Sequence, residues 1–304
     1  MAPQSEPGSN NDWIPQWPAM DVATREREYS PSSAVGGNIE PYLDAYRTAS
    51  ADARRRYAQA GANMVELAYG PSAAQTIDLV VPRQGLGPQP VTLVVYIHGG
   101  YWQQLSKDES HVAPSLVERG VGYAAVNYTL APDASLDEIV DECRQAVRRL
   151  VQVSTQYGID SERIIIVGSS AGAHLAVMVA LRSPVRLGGL VLMSGIYDLE
   201  PLVSTSINDA VGMDIAAAHR NSPMRHDLSA IPSSVVSWGG IETDEFKRQS
   251  KTFANQLASA SRSVTLIEVG HCNHFDIIHE FGDGSSGLGA AVSALISKPG
   301  GTNT

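Results

Sequence analysis

One serine in this chain has neighbours suited to nucleophilic chemistry. In "IIIVGSSAGAHLA" the residues Gly168-Ser169-Ser170-Ala171-Gly172 fit G-x-S-x-G, with an apolar run before them and an apolar run after. The two glycines let the backbone turn sharply and let strand and helix pack closely. Ser170 then projects from a strained elbow at a helix N-terminus, where the dipole and free N–H groups favour a developing anion. A plain Gly/Ser-rich turn entering a helix is the competing reading. A strand, an elbow and a buried helix following in register argue against it.

A serine hydroxyl is a poor nucleophile at neutral pH. It needs a base, and the base needs a carboxylate to orient it. In strand–helix architectures of this kind the chain order is serine, acid, histidine. Downstream, "SSVVSWGGIETDEF" and "SVTLIEVGHCNHF" each read as a strand whose end carries such groups. Asp244 is the expected acid, because it opens a helix whose backbone donors can hold it. Glu242 and Asp198 are its rivals. His274 is the expected base, with His271 as rival, since His271 follows its strand directly and can point elsewhere. His98 and His174 sit in the wrong elements for a base; His98 is expected to shape its turn and His174 to pack or hydrogen-bond on its helix.

The tetrahedral oxyanion of acyl transfer needs N–H donors. One is expected from Ala171, directly after the nucleophile, and the others from the loop after an early strand, where "IHGGYWQQLSKDES" (97–110) stands. The bare Gly99–Gly100 backbone can approach a substrate oxygen closely, so the N–H groups of Gly100 and Tyr101 are the candidates. Tyr101 and Trp102 are candidate walls for an aryl-sized pocket, against the alternative of ordinary packing.

The elements that must position these groups alternate. Strands are read at Gln75–Val81, Val91–Ile97, Gly122–Tyr128 and Arg163–Gly168, then in "LGGLVLMSG", "SSVVSWGG" and "SVTLIEVG". Val91–Ile97 is a continuous β-branched run, as in a strand buried on both faces. The segment 135–158 is a helix opened by a Ser135/Glu138 capping box, with Leu136, Ile139, Val140, Cys143, Val147, Leu150 and Val151 on one face. Ala171–Leu181 is apolar nearly all round, and a further helix starts near Asp244. Strands alternating with helices predict an α/β fold with a mostly parallel sheet covered on both faces. A single domain over 13–297 is expected, flanked by disordered tails at 1–12 and 298–304. The strandless stretch 198–227 reads as a small cap, because ligands bind at the carboxyl ends of strands in such sheets.

With 304 residues, 43% of them hydrophobic, a sizeable core is assured. The net charge of -10 argues against a nucleic-acid partner, since phosphate binding needs a basic surface. The start has neither the basic nor the apolar region of a signal peptide, and no apolar run is long enough to span a bilayer, so no membrane association is expected. Cys143 and Cys272 admit one bridge but fit a reduced, cytoplasmic chain better. No Cys/His cluster has zinc spacing, so no metal is expected.

The pieces "HGGYWQQLSKDES", "GSSAGAHLA", "SGIYDLEPLV", "NSPM", "GGIETDEFKRQS" and "NHFDI" together resemble the kynurenine formamidase (arylformamidase) branch of the α/β-hydrolases, near the hormone-sensitive-lipase-like esterases. The similarity covers nearly all of 20–285. It implies an α/β-hydrolase fold and a metal-independent serine hydrolase without cofactor, with Ser170 as nucleophile, Asp244 as acid and His274 as base. The implied substrate is N-formyl-kynurenine or a similar small aryl formamide. A carboxylesterase, lactonase or amidase on another aromatic or short acyl substrate is the alternative, because specificity lives in the cap. Many members carry G-H-S-A-G, whereas Ser169 stands here in place of the histidine; no catalytic group is lost, but the substrate is left open. A homodimer is compatible with the sequence and not required by it.

Overall fold

Alternate residues of the central strands face opposite layers, and this sets the architecture. The computed structural model describes residues 17–83, 89–183, 185–260 and 262–298. The expected tails, apart from Lys298, lie outside the described residues. Among these, eight strands form one sheet: β1 (Asn63–Ala68), β2 (Thr76–Val81), β3 (Val91–Ile97), β4 (Gly122–Val126), β5 (Ile159–Ser169), β6 (Gly189–Met193), β7 (Ser234–Ile241) and β8 (Val264–Asn273). Their order is β1-β2-β4-β3-β5-β6-β7-β8. The first two pairings, β1 with β2 and β2 with β4, are antiparallel, and the rest are parallel. This is the α/β-hydrolase sheet that the sequence implied.

Along β3, Leu93, Val95 and Ile97 enter one apolar cluster while Val94 and Tyr96 enter the other. The helices divide between the same two layers. In chain order they are α1 (Val22–Tyr29), α2 (Glu40–Gln59), α3 (Pro114–Glu118), α4 (Leu136–Val153), α5 (Ala171–Leu181), α6 (Asn208–Val211), α7 (Ile215–Arg220), α8 (Asp244–Ser259) and α9 (Gly287–Ser297). Buried residues of α4, α5 and α8 join the first cluster, and those of α2, α3 and α9 join the second. The capping box forms as expected: Ser135 N donates to Glu138 Oε2 at 2.8 Å, and Glu138 N donates to Ser135 Oγ at 3.4 Å. Residues 171–180 of α5 are all buried, since the helix has no polar face to turn outward. Both cysteines are free and buried.

The stretch 198–227 has no strand and contains α6 and α7. The sequence reading did not anticipate α1, α2 or β1. Tyr46 of α2 donates through its hydroxyl to the Phe275 carbonyl at 2.6 Å, and Tyr29 of α1 to Glu245 Oε2 at 2.7 Å. The N-terminal helices are thereby fastened over the carboxyl ends of β7 and β8. Among the described residues no helix is long and apolar enough to cross a membrane.

Candidate active site

Ser170 sits between the end of β5 and the start of α5, with φ 57° and ψ -124°. That conformation is strained for a residue with a side chain. Close packing on both sides holds it. A Cβ on Gly172 would run into the Ile97 carbonyl, so the first turn of α5 lies directly on the end of β3. The Ser170 N–H donates to the Met193 carbonyl of β6 at 2.8 Å.

The carboxylate beside His274 is Glu242. Its Oε2 lies 2.9 Å from His274 Nδ1, and its Oε1 accepts from Ser194 Oγ at 2.6 Å and Gly239 N at 2.5 Å. Strand register explains the pairing. Ile241 of β7 is opposite Asn273 of β8, so the parallel strands bring Glu242 close to His274 just beyond their ends. The expected acid, Asp244, is corrected by this geometry: its side chain is 89% exposed and pairs with Lys247 one turn on, at 2.9 Å, whereas the Glu242 side chain is 1% exposed. Occupying the first position of α8 turned Asp244 to solvent rather than toward the site. Asp198 is fully buried but faces Arg225, 3.6 Å away; burial pushes its carboxyl up despite that guanidinium.

His274 is buried and has the Phe246 ring edge-on at 4.5 Å. His271 is 74% exposed and meets Glu280 at 3.2 Å. Together with Cys272 these two form a group whose ligand atoms lie within 4.8 Å of one another. The Cys272 thiol is pushed up to about 12, chiefly by burial and then by Asp276 and Glu280.

The loop after β3 makes a left-handed run, with φ 89° at Gly100, 48° at Tyr101 and 61° at Trp102. Gln103 N and Gln104 N both donate to the Gly100 carbonyl at 3.0 Å and close the turn. A Cβ on Gly99 would stand 2.8 Å from the Ser169 carbonyl and 3.2 Å from Ser170 Cβ, so loop and elbow touch. Among the described residues, the N–H groups of Gly100, Tyr101 and Ala171 have no hydrogen-bond partner. Three donors therefore remain free beside the elbow.

Ser170 and His274 line one cavity of about 330 Å³, with His98, Gly99, Gly100 and Tyr101. Helix α2 and the segment before it supply Pro31, Ile39, Leu43 and Tyr46 to its wall, while the insert 198–227 supplies Ser206 and Ile207. Phe275 and Ile278, just after His274, complete the apolar side.

Two family models match, "BD-FAE" over residues 77–206 and "Putative esterase" over 147–279. Kynurenine formamidases of Danio rerio and Salmo salar are each 33% identical to the chain over 297 residues, 93% of this chain and 99% of theirs. The chain belongs to the kynurenine formamidase family. Among solved structures, a "putative thioesterase" from Silicibacter superposes with a TM-score of 0.76 at 28% identity, covering 88% of this chain and 98% of that one.

For this kynurenine formamidase family member, the HGGYW stretch separates into parts. Tyr101 lines the cavity and donates through its hydroxyl to the Tyr29 carbonyl at 2.5 Å. Trp102, expected beside it in the pocket wall, is instead fully buried in the core and absent from the cavity lining. A left-handed φ at two successive residues swings the indole back toward α5. His98 stacks on Tyr128 at 4.2 Å, and its Nδ1 bonds the Gly99 carbonyl at 3.0 Å. The wall residues from α2 and from the segment between α1 and α2 were missed because nothing in their spacing pointed toward the site.

Proposed function

We propose that this protein hydrolyses an aryl formamide of the N-formyl-kynurenine type through a formyl-enzyme on Ser170. The observation that carries the reading is the Glu242–His274 hydrogen bond, with His274 and Ser170 lining the same cavity, on a chain related to kynurenine formamidases over nearly its whole length. With Nδ1 held by Glu242, the tautomer of His274 leaves Nε2 free to act as base. Ser170 Oγ attacks the formyl carbon while His274 Nε2 takes its proton. The N–H groups of Gly100, Tyr101 and Ala171 stabilise the oxyanion, each worth about 3 kcal/mol. The C–N bond then breaks, and His274 protonates the leaving aniline nitrogen. Water attacks the formyl ester with His274 again as base; formate leaves and the serine regains its proton. Glu242 orients the ring and stabilises the imidazolium throughout. Every step uses a protein group, so chelation should leave the rate unchanged.

The test sets formate release from N-formyl-kynurenine beside hydrolysis of p-nitrophenyl esters of several chain lengths. The expected result is formamide turnover abolished by Ser170→Ala. Fast ester turnover with negligible formamide turnover would move the assignment to a carboxylesterase, and full activity in Ser170→Ala would remove the serine mechanism.

A further inference from the structure

Trp102 and His174 are both fully buried, and neither takes part in the steps above. Trp102 Nε1 donates to His174 Nδ1 at 3.2 Å, and the rings meet edge to face with centroids 5.1 Å apart. The other ring nitrogen, Nε2, lies 2.6 Å from the carbonyl oxygen of Asn221, at the end of α7. An indole N–H only donates and a carbonyl only accepts, so the ring must be neutral, bare at Nδ1 and protonated at Nε2. Burial pushes His174 down to about 4, in keeping with that single state.

The three partners come from the three parts of the site. Trp102 ends the left-handed run that presents Gly100 and Tyr101, His174 lies on the nucleophile's own helix, and Asn221 belongs to the insert. Asn221 is itself fastened, its Nδ2 donating to Asp137 Oδ1 at 2.9 Å and to the Ala217 carbonyl at 3.1 Å. The loop also needs an anchor, because two successive non-glycine residues, Tyr101 and Trp102, stand at positive φ. Ala131 N donates to the Trp102 carbonyl at 2.8 Å but leaves the indole unconstrained.

We propose that His174 is a positioning residue: held in its neutral tautomer by the Asn221 carbonyl, it ties the oxyanion loop to the nucleophile helix through its bond from Trp102, and that bond sets the place of the Gly100 and Tyr101 N–H donors. This rests on the reading of those groups as oxyanion donors to a Ser170 intermediate.

Three variants separate the two bonds. An asparagine carries an acceptor near the place of Nδ1, and a glutamine carries a donor near the place of Nε2. His174→Asn therefore keeps the bond to Trp102, whereas His174→Gln keeps only the one to Asn221. Trp102→Phe removes the indole N–H while filling most of the same space. Because a misplacement of about 1 Å can cost ~10²-fold in rate, kcat should fall by roughly that factor in Trp102→Phe and His174→Gln, with KM changed less than threefold. His174→Asn should stay within about threefold of wild type in kcat. Binding of phenylboronic acid, which forms a tetrahedral anion on an activated serine, should weaken in parallel with kcat. Thermal unfolding of each variant identifies loss by misfolding. Folded Trp102→Phe and His174→Gln with wild-type kcat and boronate affinity would overturn the proposal, as would equal losses in all three folded variants. Activity surviving in Ser170→Ala would instead strike the underlying mechanism, so the two failures are distinguishable.

Discussion

Glu242 and Asp244 are two residues apart and have opposite fates. Both follow β7, and both are carboxylates that a strand-end argument must consider. The sequence reading found the strand, the class of residue and the histidine partner, but chose Asp244 on the strength of a helix N-terminus. The deciding donors, Ser194 Oγ and Gly239 N, come from strand ends and stay invisible until register is known. Neutralising each carboxylate should separate the two residues in kinetics. In Glu242→Gln an amide replaces the charge that stabilises the imidazolium and offers Nδ1 the wrong partner, so kcat should fall by about 10³- to 10⁴-fold. Asp244→Asn removes only an exposed pair with Lys247 and should leave kcat/KM within about twofold. Steady-state kinetics on one aryl substrate decide between them, and a large loss in Asp244→Asn alone would restore it as the acid.

Elements whose pattern is set by burial on both faces were legible; elements held by polar contacts were not. The β-branched runs of β3 and β5, the short apolar runs of β4 and β6, and the capping box of α4 announce themselves. In α2 only Tyr46, Ser50, Ala53 and Tyr57 are buried, a helical stripe, but a narrow one interrupted by a serine and amid charged neighbours. What fixes α2 is partly a charge network around Asp78 of β2. Asp78 Oδ1 accepts from Lys107 Nζ at 2.6 Å, and Oδ2 lies 3.1 Å from His111 Nε2 and 3.2 Å from Arg54 Nη2. Lys107 and His111 belong to the segment that continues the loop after β3, so one carboxylate joins strand, helix and loop. Burial alone would raise Asp78, yet the bonds from His111 and Lys107 outweigh it and hold the carboxyl below its ordinary value. Asp78→Asn leaves three donors facing an uncharged amide in a mostly buried place. Urea unfolding should show a loss of about 3 kcal/mol. An unchanged midpoint would mean that the network is solvated and contributes little.

At the scale of the whole molecule, the same buried rings make stability depend on pH. His98 and His174 are each pushed down to about 4 by burial, from an ordinary value of 6.5. Unfolding releases them to water, where they take up protons below pH 6.5 while the folded rings remain neutral. The unfolded state therefore binds more protons between pH 6.5 and 4, and stability rises with pH across that window. The stabilisation is complete above pH 6.5 and is lost progressively as pH falls toward 4, by about 3 kcal/mol for each ring. His111 and His279 are also lowered by burial and act in the same sense. Asp78, held below its ordinary value, adds its own loss only at still lower pH. A net charge of -10 works weakly the other way, because acidification relieves self-repulsion. Its exposed charges are screened by salt while the buried rings are not, so the measurement belongs at about 0.15 M ionic strength, where the Debye length is about 8 Å. Urea midpoints taken from pH 7.5 to 4.5 should fall steadily below 6.5. In His174→Asn, which has nothing to titrate at that position, the slope should be shallower by up to about 1.4 kcal/mol per pH unit, one proton's worth. A slope equal to wild type would show that His174 takes up its proton as readily in the folded protein as in the unfolded one, and the fixed neutral tautomer between Trp102 and Asn221 would fall with it.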